Sequence, residues 1–324
     1  MKAFLIKNLL VLVIGVAAVL ALALPGPGVA LKQLQLIPGL IVVIFLCQGL
    51  GIDARRFKDL RAYAALLMWG GLIAFVAAPA LAAAAMYLLA WSPDDRLGFL
   101  LMCSMGPTLV SGVVIANQAG GEREGATLLT IALNLVAVVT IPFTLALLVG
   151  GSVQVDSWAL LNKLLVLVLL PAVLGQVVRW RWPARVEAAK AVVKYLPVAL
   201  LGCIIYLALS ERAAHLAAIS LQQVVLLALP ALAVHYLLAG LCYTGARGLL
   251  RAPRARATAA AVVCSQKTLP VAIAVWSTEF AAAYPLALIA PIVFHLSQIY
   301  GDGLLAAWWA RRQARREGLT EVAA

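Results

Sequence analysis

The chain has 324 residues, of which 65% are apolar and 12% charged, and its mean hydropathy is +1.02. Soluble domains run nearer half apolar and a quarter charged, which argues against the two-domain soluble enzyme that this length would ordinarily suggest. The net charge of +12 would raise nucleic acid as a partner, but the cations sit in short clusters between apolar runs and form no basic stripe, so membrane lipid is the expected partner instead.

In chain order the ten apolar runs cover approximately 4–24, 36–52, 62–90, 98–117, 127–149, 158–178, 195–209, 221–244, 258–277 and 285–310. A helix needs roughly 20 residues to cross a hydrocarbon core of about 30 Å, so an all-α polytopic membrane protein of ten transmembrane helices is expected. The first run, flanked by Lys2 and Lys7 and followed by Pro25-Gly26-Pro27-Gly28, resembles a signal peptide but lacks a small-residue cleavage site, and it reads as a retained span. On this count Lys32, Arg96, Lys163 and Arg212 fall on one side of the membrane, Lys267 lies within a span, and every other Lys and Arg falls on the opposite side. That asymmetry predicts cytoplasmic termini, and the expected location is the inner membrane.

Five spans per half is an odd number, so two homologous halves, 1–155 and 156–310, must sit in opposite orientations ahead of a basic cytoplasmic tail at 311–324. Comparison of the halves exposes one shared anomaly. The fourth run carries Ser104-Met105-Gly106-Pro107-Thr108-Leu109-Val110-Ser111-Gly112, and the ninth carries Cys264-Ser265-Gln266-Lys267-Thr268-Leu269-Pro270. Proline removes a backbone donor and clashes with the preceding turn, so Pro107 and Pro270 predict interrupted helices whose freed backbone groups need partners inside the bilayer.

Lys267 is the most informative single residue, because an ammonium at mid-span costs roughly 2.5–3.5 kcal/mol and is kept only with a partner or a wet cavity. Its candidate charge partner is Asp302, which shares a helix face with His295 and Gln298. Thr130 and Asn134 form a second polar pair one turn apart, whereas His235 reads as a packing residue. Cys47, Cys103, Cys203, Cys242 and Cys264 have no metal or disulfide spacing and read as buried small residues. The adjacent acids Asp94 and Asp95 read as a short outer turn without partners, and no catalytic residue is expected.

Taken in order, Pro107-Thr108-Leu109-Val110-Ser111-Gly112, Ala119-Gly120-Gly121-Glu122, Thr140-Ile141-Pro142, Cys264-Ser265-Gln266-Lys267-Thr268-Leu269 and His295-Leu296-Ser297-Gln298-Ile299 resemble the bile acid:sodium symporter family, most closely its SBF-like branch. Phe45-Leu46-Cys47-Gln48-Gly49-Leu50 is similar to that family's second span. The resemblance implies two inverted five-helix repeats, a panel domain of spans one, two, six and seven, a core domain of the other six, and crossing broken helices four and nine. It also implies transport of an organic anion with sodium. Ser111 then falls on a sodium-site hydroxyl, Thr130 and Asn134 on the hydroxyl-bearing face of the fifth span, and Gln266 on the Gln of a Glu-x-x-x-Gln stretch.

Two positions depart from that pattern. Val262 stands where the Glu belongs, and Ala74, five residues before Pro79, stands where the third span carries a Gln. A hard cation needs a shell of oxygens, so losing two while gaining an ammonium argues that Lys267 takes the electrostatic role of sodium. Three options follow: no coupling, proton coupling, or sodium at a site whose ligands are unknown. The expected function is secondary active transport of a small organic anion by alternating access, with no cofactor beyond a coupled sodium ion or proton. Ser111, Thr130, Asn134, Ser265, Gln266, Lys267, Thr268, His295 and Gln298 are the candidate binding residues. The alternatives are a non-transporting membrane sensor or, less in keeping with the sparse acids, a membrane-embedded lipid-modifying enzyme.

Overall fold

A computed structural model describes residues 9–52, 61–109, 111–149 and 155–316, with side chains up to 306. The flanking cations Lys2 and Lys7, the loop cations Arg55, Arg56 and Lys58, Val110, and the side chains of the basic tail lie outside the described residues. Every regular element among the described residues is helical. Six stretches are long and apolar enough to cross a bilayer: Arg61–Leu88, Arg123–Val149, Ser157–Arg181, Lys190–Ser210, Leu221–Gly248 and Arg254–Phe280. Large apolar side chains such as Val19, Met68, Leu147, Leu170 and Leu229 are exposed along the helices, as expected of a surface whose solvent is lipid. The protein is a multi-pass integral membrane protein.

The helices are labelled α1 (Leu9–Ala23), α2 (Pro25–Lys32), α3 (Leu36–Gly51), α4 (Arg61–Leu88), α5 (Pro93–Ser104), α6 (Ser111–Gln118), α7 (Arg123–Val149), α8 (Ser157–Arg181), α9 (Lys190–Ser210), α10 (Leu221–Gly248), α11 (Arg254–Ser265), α12 (Leu269–Val275) and α13 (Ile289–Arg316). The Pro25-Gly26-Pro27-Gly28 stretch after the first run is helical. The chain bends by 100° between α1 and α2, with Pro25 in the first turn of α2, where its missing N–H is no loss. Gly301 and Gly303 do not interrupt α13.

Two groups of helices pack tightly. In the first, α3 crosses α8 where Gly49 meets the backbone of Ala172 and Gly175 meets the backbone of Leu46, an approach that any side chain would block. Gln176 and Arg179 of α8 reinforce the crossing by donating to the carbonyls of Gly49, Ile52 and Leu50 at the end of α3. In the second group α10, α11 and α13 pack together with α4 to α7, and 94% of the apolar window of Arg254–Phe280 is buried. That stretch is therefore an interior element, flanked by protein and not by lipid.

Asp94 and Asp95 have partners after all. The Asp95 backbone N–H donates to the hydroxyl of Ser92, which caps α5, and the Asp95 carboxylate accepts from Gln223, while Asp94 accepts from the backbone N–H of Leu286 at 2.7 Å. They tie the start of α5 to α10 and to the segment before α13. Cys203 is exposed, unlike the other four cysteines, which are buried.

Candidate functional site

The polar stretches of the fourth and ninth runs do interrupt helices, and the two interruptions meet. α5 ends at Ser104 and Met105 turns extended (φ −74°, ψ 157°), while α11 ends at Ser265 and Gln266 turns extended in nearly the same conformation (φ −71°, ψ 148°). The backbone N–H of Thr268 donates across the gap to the carbonyl of Gly106 at 3.0 Å. Pro107 lies in the first break. Pro270 plays a different part from the one expected, because it sits in the first turn of α12 and starts that half-helix, the break itself being at 266–268.

Several of the freed backbone groups find side chains. Gln298 of α13 pairs with Lys267 as another peptide would, its Oε1 accepting from the Lys267 N–H at 3.0 Å and its Nε2 donating to the Lys267 carbonyl at 2.6 Å. His295 Nδ1 lies 3.2 Å from the same carbonyl. Asn134 of α7 donates to the carbonyl of Pro107 at 2.9 Å and to that of Thr130 at 2.8 Å. Buried backbone groups without partners are costly, and these three side chains are what make non-helical backbone tolerable here.

The Lys267 ammonium is where the sequence reading needs correction. It does not pair with Asp302 and it lines no open cavity: the residue is fully buried, and Nζ donates to the carbonyls of Ala74 at 2.7 Å and Met105 at 3.0 Å, with the Phe75 ring beside it. Both carbonyls are orphans. Residues 73–77 of α4 form a wide turn in which the Ala78 N–H bonds back to Ile73, and the next donor in that register, five residues after Ala74, would be Pro79, which has none. Met105 is the residue at which α5 stops. The ammonium thus bridges two carbonyls at which the helices α4 and α5 are interrupted.

Asp302 has other partners. Its Oδ1 lies 2.7 Å from Nε2 of His235, its Oδ2 accepts from Nε2 of Gln266 at 2.6 Å, and Nδ1 of His235 lies 3.2 Å from the carbonyl of Ser265, the last residue of α11. Gln266 Oε1 in turn accepts from the hydroxyl of Thr108, which accepts from the N–H of Gly112 in the first turn of α6. His235 therefore belongs to a buried polar chain and is not a mere packing residue. Its partner lies 67 positions away, so no local spacing could have revealed it. The carbonyl of Ala74 did leave a trace in the sequence, namely Pro79 five residues later.

The remaining candidates divide. Ser265 spends its hydroxyl on the Val262 carbonyl of its own helix, at 3.2 Å, and joins the chain only through its backbone. Ser111 is half-buried at the start of α6 and Thr268 is buried in the break. Among the described residues, Thr130 Oγ1 and Gln48 Oε1 are buried oxygens with no hydrogen-bond partner. No cluster of His, Cys, Asp and Glu suited to a metal ion is present among the described residues.

With this geometry in view, the relatives can be placed. The chain matches the SBF-like CPA transporter family over residues 8–311. It is 29% identical, over 231 residues, to the Arabidopsis thaliana protein named "Probable sodium/metabolite cotransporter BASS4, chloroplastic", a match covering 66% of this chain and 52% of that one. Proteins of the same name from Oryza sativa subspecies indica and japonica are 29% identical over 334 residues, covering 94% of this chain and 75% of theirs. The chain thus spans about half of the Arabidopsis relative and three quarters of the rice ones.

Proposed function

The chain belongs to the SBF-like CPA transporter family, and from that membership we propose that it is a secondary active transporter moving a small organic anion across a membrane by alternating access. The observation that carries the proposal is the junction of the two helix breaks, joined by the bond from Thr268 to Gly106 and neutralised by the ammonium of Lys267. Irregular backbone at bilayer depth is a feature of solute sites in transporters built from repeats. Matched termination of α5 at Met105 and of α11 at Gln266 supports an inverted pair of five-helix repeats, residues 1–155 and 156–310, and so ten spans, with α5–α6 and α11–α12 each crossing as two half-helices.

On this reading α1, α3, α8 and α9 make the panel, and α4 to α7 with α10 to α13 make the core that rocks against it. Lys267 stands in for the coupling cation. Its contacts with Ala74 and Met105 fill the place where the family's third-span Gln is missing, and Val262 removes the carboxylate that would otherwise hold sodium. The ammonium acts on the solute through its field and through the geometry of the breaks, because it is sealed in this conformation. The unpartnered oxygens of Thr130 and Gln48 are the groups offered to a solute or ion, and Asn134, Gln298 and His295 hold the backbone that frames them. The Lys/Arg asymmetry supports a cytoplasmic side for both termini.

The test is uptake by the purified protein in proteoliposomes across a panel of carboxylates and sulfonates. Net accumulation of an anion that requires intact Lys267 supports the proposal. Ligand-induced stabilisation without any net uptake would identify a sensor instead.

A further inference from the structure

The hydrogen-bond geometry of the buried chain that runs from Gly112 to Ser265 calls for one more proton than ordinary charge states supply. His235 is wholly buried and Asp302 is 3% exposed, and both ring nitrogens of His235 face oxygen acceptors, the Ser265 carbonyl at 3.2 Å and Asp302 Oδ1 at 2.7 Å. A neutral imidazole has one N–H and one lone pair, and an ionised carboxylate contributes no hydrogen. With His235 neutral and Asp302 ionised, one of these two contacts would set lone pair against lone pair in a site shielded from bulk water. One added hydrogen resolves the conflict, as an imidazolium facing a carboxylate or as a neutral imidazole accepting from a carboxylic acid. Asp302 Oδ2 already accepts from Gln266, so the hydrogen lies between Oδ1 and Nε2.

We propose that the His235–Asp302 pair is a proton-binding site, loaded in the conformation described here, and that this proton is the ion coupled to movement of the anion. The inference rests on the transport reading above and names its ion. The step makes and breaks only O–H and N–H bonds, with water giving and taking the proton and nothing oxidised or reduced. A cavity of roughly 240 Å³ between α6, α10, α11 and α13 has Asp302, Ser265, Tyr236 and Thr258 in its lining. Most of the rest of the lining is apolar, including Ile115, Ala261, Val262 and Leu305, so water would be held at these few polar groups. Along α11 the cavity extends from Thr258, one turn from the basic start of the helix at Arg254, to Ser265 at the break, and this gives the proton a route from the Lys/Arg-rich face.

The other titratable groups on the elements packed around the pair include Tyr236, Cys242 and Tyr243 on α10, with the Tyr236 ring 5.1 Å from that of His235, Cys103 on α5, Cys264 on α11, Lys267 in the break and His295 on α13. α6 carries none. Among the described residues Asp302 is the one carboxylate of the cluster, and Lys267 is held by the carbonyls of Ala74 and Met105. Loaded, the pair is neutral and leaves the Lys267 charge for an anionic solute. Emptied, it carries one negative charge and compensates Lys267 itself, so proton and anion are held together or not at all. Emptying also sets two acceptors against each other at the end of α11, a disturbance that Gln266 and Thr108 pass to the start of α6.

The test uses the full-length protein in lipid nanodiscs with ring-¹⁵N-labelled histidine, titrated with protons alone. There are three histidines in the chain, and the resonance lost in His235→Gln identifies the one that matters. The proposal expects, at the acid end, either two ring N–H signals on His235 or a single Nδ1–H accompanied by a carboxylic-acid C=O band assigned to Asp302. It expects one proton per chain to leave as the pH rises. Asp302→Asn, whose amide supplies the missing hydrogen and still accepts from Gln266, should make His235 insensitive to pH and abolish the dependence of uptake on a pH gradient. A wild-type spectrum with one ring N–H and an ionised Asp302 at every pH overturns the site, even if the variant does not fold. Uptake indifferent to a pH gradient overturns the coupling. As the titration uses no solute, its failure leaves transport standing, whereas a protein that titrates but carries no anion refutes the transport reading alone.

Discussion

Lys267 contributes to this protein through what its ammonium satisfies. Ala74 and Met105 present carbonyls with no helical donor, and the ammonium bonds both. Lys267→Met keeps the apolar stem and removes the donors, leaving two buried acceptors at about 1–3 kcal/mol each. The thermal midpoint of Lys267→Met in detergent should fall well below wild type, and an unchanged midpoint would mean that the carbonyls find other partners. Thr130 predicts the opposite sign. Its hydroxyl is buried without a partner among the described residues, so Thr130→Val removes an unmet polar group and should raise the midpoint of the solute-free protein by the equivalent of about 1 kcal/mol. The same variant should lose stabilisation by a transported anion. A lower midpoint in Thr130→Val would show that the hydroxyl is bonded in the working protein.

At the level of elements, the breaks were legible because they depend on residue identity: proline and polar residues inside an apolar run have few readings in a bilayer. The contacts of Asn134 and Gln298 were half legible, since a polar side chain in a span announces that it has a partner without saying which. The grip on Ala74 was not read, because a carbonyl is common to every residue and only Pro79 marked this one as free. His235 was misjudged for the complementary reason: a lone histidine with its partner on a distant helix leaves no periodic signal. Pro79 supplies a test of this logic. Pro79→Ala restores an N–H that competes with Lys267 for the Ala74 carbonyl, so α4 should become more regular and the protein should remain folded while uptake falls. Wild-type uptake in a well-folded Pro79→Ala protein would disconnect the wide turn in α4 from function.

On the scale of the whole molecule, the ion pair between Lys163 of α8 and Glu279, just beyond α12, joins the two packed groups of helices at 2.6 Å. With Lys163 43% exposed and such pairs worth about 0–1 kcal/mol, it contributes little to stability, and it must open if one group rocks against the other. A cross-link between K163C and E279C should arrest uptake reversibly, and reduction should restore it. Uptake unaffected by a complete cross-link would exclude rocking at this interface. The account's central claim is narrower than any of these: a fixed ammonium occupies the place of a coupling metal ion where two broken helices meet. It is tested most directly by measuring thermal stability in sodium against potassium at equal ionic strength, for wild type and Lys267→Ala. The account predicts that wild type does not distinguish the two ions and that Lys267→Ala is less stable and is selectively restored by sodium. Strong sodium dependence in wild type, unchanged when the ammonium is removed, would contradict it.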